Sequence, residues 1–344
     1  MASPLRILLL ESVHPVGVET LRREQFEIER LEGALKEDEL VERLDGVHVL
    51  GIRSKTQVTP RVLEAAEEML AVGAYCIGTN QIALEAAMQR GVCVFNAPFS
   101  NTRSVAELVL AEVVILSRQL GDRVQEMHLG RWRKLAAGSH EVRGKSLGIV
   151  GYGHIGSQVG VLAEHFGMHV AYFDLAPKLP LGNNRCEPTL EALLAGSDFV
   201  TLHVPETPQT KGMIGAAQLA AMKPGACLLN LSRGTVVDLP SLAEALRSGH
   251  LAGAAVDVFP DEPEGSSAEG FATPLQGLRN VLLTPHVGGS TLEAQEAIGR
   301  EVSTSLARYV KTGSSTGAVN FPRSSSPGPP GARGWCTCTG TCPA

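Results

Sequence analysis

Short apolar runs alternate with amphipathic stretches from the start of the chain. Residues 6–10 (RILLL) read as a buried strand and residues 17–24 as a helix. Residues 47–53 (VHVLGIR) predict a second strand that ends in the polar loop Ser54-Lys55-Thr56. Over residues 60–69, Val62, Leu63, Ala66 and Met69 fall on one helical face. Residues 70–77 make a third apolar run, closed by Gly78-Thr79-Asn80. This alternation predicts a parallel sheet with helices on its faces. Residues 104–120, rich in Ala, Val, Leu and Glu, predict a long helix with Ser104 as its N-cap.

A second and stronger series begins at residues 145–150 (KSLGIV). It continues through residues 170–174, 199–204, 227–231, 254–259 and 281–285, and a last helix is expected over 292–310. These runs are almost continuously apolar, as strands covered on both faces must be. The expected fold class is therefore α/β with two doubly wound parallel sheets. From Arg323 the pattern stops: the sequence turns Ser- and Pro-rich, then Cys/Thr/Gly without a period, and is expected to be disordered.

Composition narrows the function classes. A chain of 344 residues can hold two domains, and 44% hydrophobic with 19% charged residues fits a soluble globular protein. The net charge of -6 offers no bulk attraction to nucleic acid or a membrane surface, yet a small basic pocket for an anionic substrate would be invisible in that sum. The N-terminal run lacks the features of a secretory signal, and no run approaches the ~20 apolar residues that span a bilayer, so a cytoplasmic location is expected. Cys76, Cys93, Cys186 and Cys227 are scattered singly while Cys336, Cys338 and Cys342 crowd the end, which is no disulfide framework.

The strand at 147–150 runs directly into Gly151-Tyr152-Gly153-His154-Ile155-Gly156, which opens a helix over 156–166. The next strand ends in Asp174, 18 residues past Gly156. A Gly-x-Gly-x-x-Gly at a strand-to-helix turn, with a carboxylate at the end of the following strand, predicts a dinucleotide site. The glycines admit a pyrophosphate to a helix N-terminus. Asp174 would accept hydrogen bonds from a ribose and repel a 2′-phosphate, so NAD is expected over NADP. Three more polar segments follow strands of this series: Leu231-Ser232-Arg233-Gly234, residues 257–263 with Asp257 and Glu262, and residues 284–290 (TPHVGGS) with His286. Arg233 could grip a carboxylate with its planar fork, His286 could exchange a hydroxyl proton, and Glu262 could raise the pKa of His286 and fix its tautomer.

These motifs resemble those of the D-isomer-specific 2-hydroxyacid dehydrogenases, and within them the bacterial type of D-3-phosphoglycerate dehydrogenase. The resemblance spans residues 5–322. It is carried by Arg53-Ser-Lys-Thr56, Ile77-Gly-Thr-Asn80, residues 95–107 (FNAPFSNTRSVAE), Trp132 with residues 134–138 (KLAAG), Gly151–Gly156, His203-Val204-Pro205, Ser232–Asp238 and His286–Ser290. It implies Arg233, Glu262 and His286 as catalytic residues. For the cofactor it implies Gly151, Gly153, His154, Ile155, Gly156, Asp174, His203, Val204, Pro205, Leu231, Ser232, Arg233, Asp257, His286, Gly288 and Gly289. It also implies a flavodoxin-like substrate domain (1–100 with 287–322), a Rossmann NAD domain (101–286), a hinge near Asn101 and Pro285, and a homodimer or homotetramer paired through the NAD domains.

For the substrate, Arg53 and Ser54 suit a phosphate, with Gly78, Asn101, Arg233 and His286 beside them; the resemblance puts Trp132 and Lys134 near a neighbouring subunit's cleft. The expected reaction is NAD-dependent oxidation of D-3-phosphoglycerate to 3-phosphohydroxypyruvate, the first step of the phosphorylated route to serine. Two alternatives stay open: a reductase for another 2-keto acid such as hydroxypyruvate, and a non-enzymatic NAD-sensing corepressor. Three clustered cysteines without a later histidine do not make a structural zinc site, so no metal is expected. Relatives of this type run on from an Asn-Phe-Pro like Asn320-Phe321-Pro322 into an ACT domain. Here 22 residues follow Pro322, and the Cys/Thr run is expected to be an ACT-domain strand read in a shifted frame.

Overall fold

The apolar runs become strands because each can bury both of its faces. The computed structural model describes residues 5–263 and 269–322, so the expectations for the tail from Arg323 lie outside the described residues. Through the first hundred residues the chain forms β1 (Arg6–Leu9), α1 (Pro15–Arg22), β2 (Glu27–Arg30), α2 (Glu37–Arg43), β3 (Val49–Ile52), α3 (Pro60–Ala65), β4 (Ala71–Ala74), α4 (Leu84–Gln89) and β5 (Cys93–Phe95). Then come α5 (Thr102–Arg118), α6 (Leu120–His128), β6 (Ser146–Val150), α7 (His154–His165), β7 (His169–Phe173), β8 (Arg185–Cys186), α8 (Leu190–Gly196) and β9 (Phe199–Leu202). The remainder is α9 (Ala216–Ala221), β10 (Cys227–Asn230), α10 (Leu239–Arg247), β11 (Gly253–Val256), β12 (Val281–Leu283) and α11 (Leu292–Thr312).

Two compact units result. Among the described residues, 5–101 and 292–322 form the first, and those between Thr102 and Thr291 the second. The first holds a five-stranded sheet in the order β2-β1-β3-β4-β5, the second a seven-stranded sheet in the order β12-β11-β10-β9-β6-β7-β8. Every strand pair is parallel. Both are doubly wound: strand order reverses at β1/β3 in the first sheet and at β6/β9 in the second, and such switch points open ligand crevices at the carboxyl ends of strands.

Period-two alternation sorts the side chains of the first sheet. Leu8, Leu50, Val72 and Val94 pack with Leu40, Val62, Leu63 and Ala87 of α2, α3 and α4. Ile7, Leu9, Val49 and Phe95 face Leu21 of α1 and Ile298, Val302 and Leu306 of α11. In the second sheet Val150, Val200, Leu228 and Val256 meet Leu193, Leu219 and Leu242. Ile149, Leu229 and Ala255 meet Val109 and Val113 of α5 and Val159 of α7 on the opposite face. Each Leu, Ile, Val or Phe side chain so removed from water contributes about 1.5–3 kcal/mol. Helix starts are set locally: Thr59 Oγ1 accepts from Val62 N (3.3 Å) ahead of Pro60, and Asp238 from Ser241 N (3.0 Å) ahead of Pro240.

Several elements differ from the reading of the pattern. β2 (EIER) is a mostly exposed edge strand whose polar residues hid it. The predicted helix over 104–120 starts at Thr102, so Ser104 sits inside its first turn rather than at the N-cap, bonded to Thr291 Oγ1 (2.8 Å). The same helix ends at Arg118 because Gln119 adopts φ 51°, and α6 then sets off in a new direction. After β12, Val287 and Gly288 are tied back to Asp257, and the first unit resumes at Leu292.

Candidate active site

The glycine motif sits at the β6/β9 switch point, and each glycine is required for a different reason. Gly151 has φ 91°, and a Cβ there would lie 2.4 Å from the His203 carbonyl oxygen. A Cβ on Gly156 would lie 2.2 Å from the Gly151 oxygen, so the helix packs down on the turn. Gly153 is the opposite case: a Cβ would meet nothing within 4 Å. Its backbone borders open space at the start of α7, with no side chain to cap the helix. That cradle fits a pyrophosphate. His154 is exposed and Ile155 half-buried beside it.

Asp174 follows β7 with its carboxylate fixed in place, Oδ2 accepting from Tyr152 N (2.8 Å) and Oδ1 from Ala176 N (2.9 Å). Below it, Tyr152 stacks on Tyr172 with ring centroids 3.8 Å apart. Their hydroxyls secure the next loop: Tyr152 Oη accepts from Leu181 N and Asn184 Nδ2, and Tyr172 donates to the Lys178 carbonyl. Reading by motif missed this tyrosine pair and Asn184; the aromatic between the first two glycines was their only signal. His203 is half-buried, and desolvation pushes its pKa down to about 3, so its ring is neutral. Its Nε2 meets Thr201 Oγ1 at 3.0 Å. Val204 is half-buried, Pro205 is exposed, and the Pro205 carbonyl accepts from Thr210.

Three strand-end segments of the second unit meet around His286. Its Nδ1 lies 2.7 Å from Glu262 Oε2, and Glu262 Oε1 accepts from Phe259 N (3.1 Å). The Glu262 hydrogen bond raises the His286 pKa above its ordinary value, more than desolvation lowers it. Partial burial pushes Glu262 up, but the His286 hydrogen bond and charge outweigh it and hold the carboxyl below the usual range. Arg233 acts through its charge on both groups and lowers the pKa of each. Its segment is pressed against theirs at Gly234, where a Cβ would come within 2.0 Å of the Phe259 carbonyl carbon. Leu231 and Ser232 are buried, Ser232 bonding Asn230 Oδ1 through both N and Oγ.

His286 itself has φ 54°, a strained conformation for a residue with a side chain. Asp257, 1% exposed, holds it there. The Asp257 carbonyl accepts from His286 N (2.8 Å), Oδ1 accepts from Thr284 Oγ1 (2.6 Å) and Val287 N (2.8 Å), and Oδ2 from Gly288 N (2.8 Å). Gly289 is half-buried just beyond. Thr284 was not singled out from sequence; its place two residues before the histidine was the available clue.

The remaining expected residues lie elsewhere. Arg53, Ser54, Gly78 and Asn101 belong to the first unit. Arg53 is half-buried and Ser54 exposed, and among the described residues the Arg53 guanidinium forms no ion pair. Gly78 is half-buried, its carbonyl accepting from Cys76 Sγ (3.1 Å), and the Asn101 Oδ1 is buried without a partner among the described residues. Trp132, 78% exposed, and Lys134 lie in the irregular segment after α6, which Arg123 ties down through the Arg133 and Leu135 carbonyls. Among the described residues no group of three His, Cys, Asp or Glu could hold a metal ion, and no helix is long and apolar enough to cross a membrane.

Residues 110–288 match the family described as D-isomer specific 2-hydroxyacid dehydrogenase, NAD binding domain. The chain belongs to the D-isomer-specific 2-hydroxyacid dehydrogenases. The second unit contains the family's NAD-binding domain, in agreement with its cradle. Among curated relatives, D-3-phosphoglycerate dehydrogenase of Escherichia coli K12 is 54% identical over 324 residues, covering 94% of this chain and 79% of its own. The D-3-phosphoglycerate dehydrogenase of Dictyostelium discoideum is 53% identical over 323 residues, with the same two coverages. Among solved structures, an NADPH-dependent glyoxylate/hydroxypyruvate reductase from Sinorhizobium meliloti, in complex with NADP and malonate, matches with TM-score 0.79. It is 28% identical and covers 94% of this chain and 100% of its own. The likeness to the Sinorhizobium structure takes in both parallel-sheet units of this 2-hydroxyacid dehydrogenase.

Proposed function

We propose that this chain oxidises D-3-phosphoglycerate to 3-phosphohydroxypyruvate with NAD as the hydride acceptor, in the cytoplasm, as the first step of the phosphorylated route to serine. The observation that carries the chemistry is the 2.7 Å contact between His286 Nδ1 and Glu262 Oε2. A carboxylate can only accept, so Nδ1 donates and Nε2 keeps its lone pair. His286 Nε2 therefore takes the proton of the substrate 2-hydroxyl, and the resulting imidazolium is stabilised by Glu262. Arg233 holds the substrate carboxylate and sets C2 beside the imidazole. NAD, when bound, supplies the nicotinamide ring that accepts the hydride from C2. The Gly151–Gly156 turn would hold its pyrophosphate and Asp174 its adenosine ribose, which favours NAD over NADP.

The choice of phosphoglycerate is supported by the relatives' activity and by Arg53 and Ser54, which offer a guanidinium and a hydroxyl to a phosphate. The exposed Leu120, Val124, Met127, Leu129, Trp132 and Leu135 of α6 and the following segment favour pairing with a second copy through the NAD domain, giving at least a homodimer. A substrate panel followed by NADH absorbance tests the whole reading. Turnover of D-3-phosphoglycerate should exceed that of D-glycerate and D-lactate by at least about 100-fold in kcat/KM, since a lost charged contact removes several kcal/mol of transition-state binding. Equal turnover of the three would move the assignment to a general 2-keto acid reductase, and no turnover at all to a non-catalytic NAD sensor.

A further inference from the structure

At the β1/β3 switch point of the first sheet, a buried acid occupies the place where ligand crevices open. Glu11 follows β1, is 6% exposed and forms no ion pair among the described residues. Its carboxylate instead collects backbone donors from the loop after β3. Oε1 accepts from Arg53 N (3.2 Å) and Thr56 N (2.8 Å), and Oε2 from Lys55 N (3.0 Å). Three N–H groups converging on one point are an anion hole, and here the protein fills it with its own carboxylate.

The rest of the neighbourhood keeps that carboxylate in place. Glu11 and Ser12 both take left-handed backbone, at φ 62° and 52°, which residues with side chains rarely adopt. Glu11 N donates to the Gly33 carbonyl (3.1 Å) and Ser12 Oγ to the Glu32 carbonyl (3.1 Å), so the β2–α2 connection holds the turn. On the far side of the loop, the Arg53 carbonyl accepts from Gln81 Nε2 (2.6 Å). The Arg53 backbone is thus fixed through both its N–H and its C=O, while its guanidinium is left without an ion pair and Ser54 is exposed.

We propose that Glu11 is a positioning residue that selects phosphorylated over unphosphorylated substrates, by locking the Arg53–Thr56 loop so that only side chains, not backbone N–H groups of Arg53, Lys55 and Thr56, are offered to the substrate. This rests on the reading of Arg53 and Ser54 as the phosphate contact. With the backbone donors used internally, affinity for the phosphate comes from a guanidinium whose stem is already placed. Strain on Glu11 and Ser12, away from the substrate, is the means by which the geometry is kept.

The test compares Glu11→Gln, Glu11→Asp and Arg53→Ala in the full chain, reducing 3-phosphohydroxypyruvate and hydroxypyruvate with NADH. Glu11→Gln replaces one accepting oxygen by an amide that repels an N–H. It should raise KM for the phosphorylated substrate about tenfold or more, the size of one lost charge-assisted hydrogen bond, with kcat within about twofold. Hydroxypyruvate turnover and NADH affinity, read by fluorescence, should stay within about twofold for both Glu11 variants, which also shows that they fold. Glu11→Asp keeps the charge and should recover part of the KM loss. A fall of the same size on both substrates, or an unchanged KM in Glu11→Gln while Arg53→Ala raises it, overturns the role of Glu11 alone. An unchanged KM in Arg53→Ala removes the phosphate reading and this proposal together.

Discussion

Two buried carboxylates, Glu11 in the first unit and Asp257 in the second, solve one problem by opposite distributions of strain. Each stands after a strand and gathers donors from the segment that follows the neighbouring parallel strand: β3 for Glu11, β12 for Asp257. Each fixes a backbone that carries a proposed site residue, Arg53 in the first unit and His286 in the second. In the first unit the holder is strained, with φ 62° at Glu11. In the second the held residue is strained, with φ 54° at His286. The difference follows from the proposed tasks. A phosphate clasp needs reach and tolerates a relaxed arginine, whereas proton transfer needs one nitrogen at one place. Where placement must be tightest, the strain sits on the residue proposed to move the proton, and its neighbours over-determine it.

The comparison is broken most severely at the histidine. His286→Ala should lower kcat by at least about 100-fold, the usual size of a lost general base, while NAD affinity measured by fluorescence titration survives. Near-normal turnover in that variant would mean that the strained residue is not the reactive one. Asp257→Asn is the finer cut. It keeps Oδ1 as an acceptor for Thr284 and Val287 but turns an amide towards Gly288 N. A fall in kcat of about tenfold is expected, in contrast with the KM effect expected at Glu11. If Asp257→Asn raised only KM, the two carboxylates would be doing the same job and the contrast would vanish.

The sequence makes one half of each device visible and hides the other. The glycine motif, Arg233, Glu262 and His286 are legible because strands of almost pure apolar residues end abruptly in polar ones. The buried strands of both sheets are legible for the same reason. Glu11 ends such a strand too, yet a lone acid after RILLL carries no sign that it turns inward. Its role depends on a left-handed turn and on a partner loop more than forty residues away in the chain. Asp257 was legible only through resemblance, as a cofactor contact; its grip on the 284–288 segment needs the β11/β12 pairing to be seen. β2 escaped because an exposed edge strand buries too little to leave a pattern. The break between α5 and α6 escaped because Gln119 is an unremarkable residue in an unusual conformation.

A pH profile sharpens the second half of the comparison. Glu262 raises the pKa of His286, and in the proposed reaction oxidation requires the deprotonated ring. The oxidation rate should therefore climb as pH rises through that raised pKa, while reduction of the keto acid falls over the same range. In Glu262→Gln the imidazole loses its anionic partner and its pKa drops back, so the rising limb of kcat for oxidation should move to lower pH. A limb that stays in place, or moves upward, would show that another group sets the protonation of His286.

The smallest expected effect concerns a buried carboxyl that no device has satisfied. Glu112 of α5 is 2% exposed, and neither of its oxygens has a hydrogen-bond partner among the described residues. Burial, with a further push from Asp257, raises its pKa from 4.5 to about 8. In an unfolded chain the same carboxyl would ionise near 4.5, so between those values the unfolded state releases a proton that the folded state keeps. Stability from this group is thus lost as pH rises from about 4.5 towards 8, the reverse of a carboxylate held by donors. Glu112→Gln retains shape and polarity and removes the ionisation. Its Tm should match the parent's near pH 4 and exceed it increasingly up to about pH 8, the gain levelling off above that. A Tm difference that stays constant across this range would show that Glu112 is not protonated beside Asp257. Asp257 would then share its buried site with a second full charge, and its hold on the His286 segment would have to withstand that repulsion.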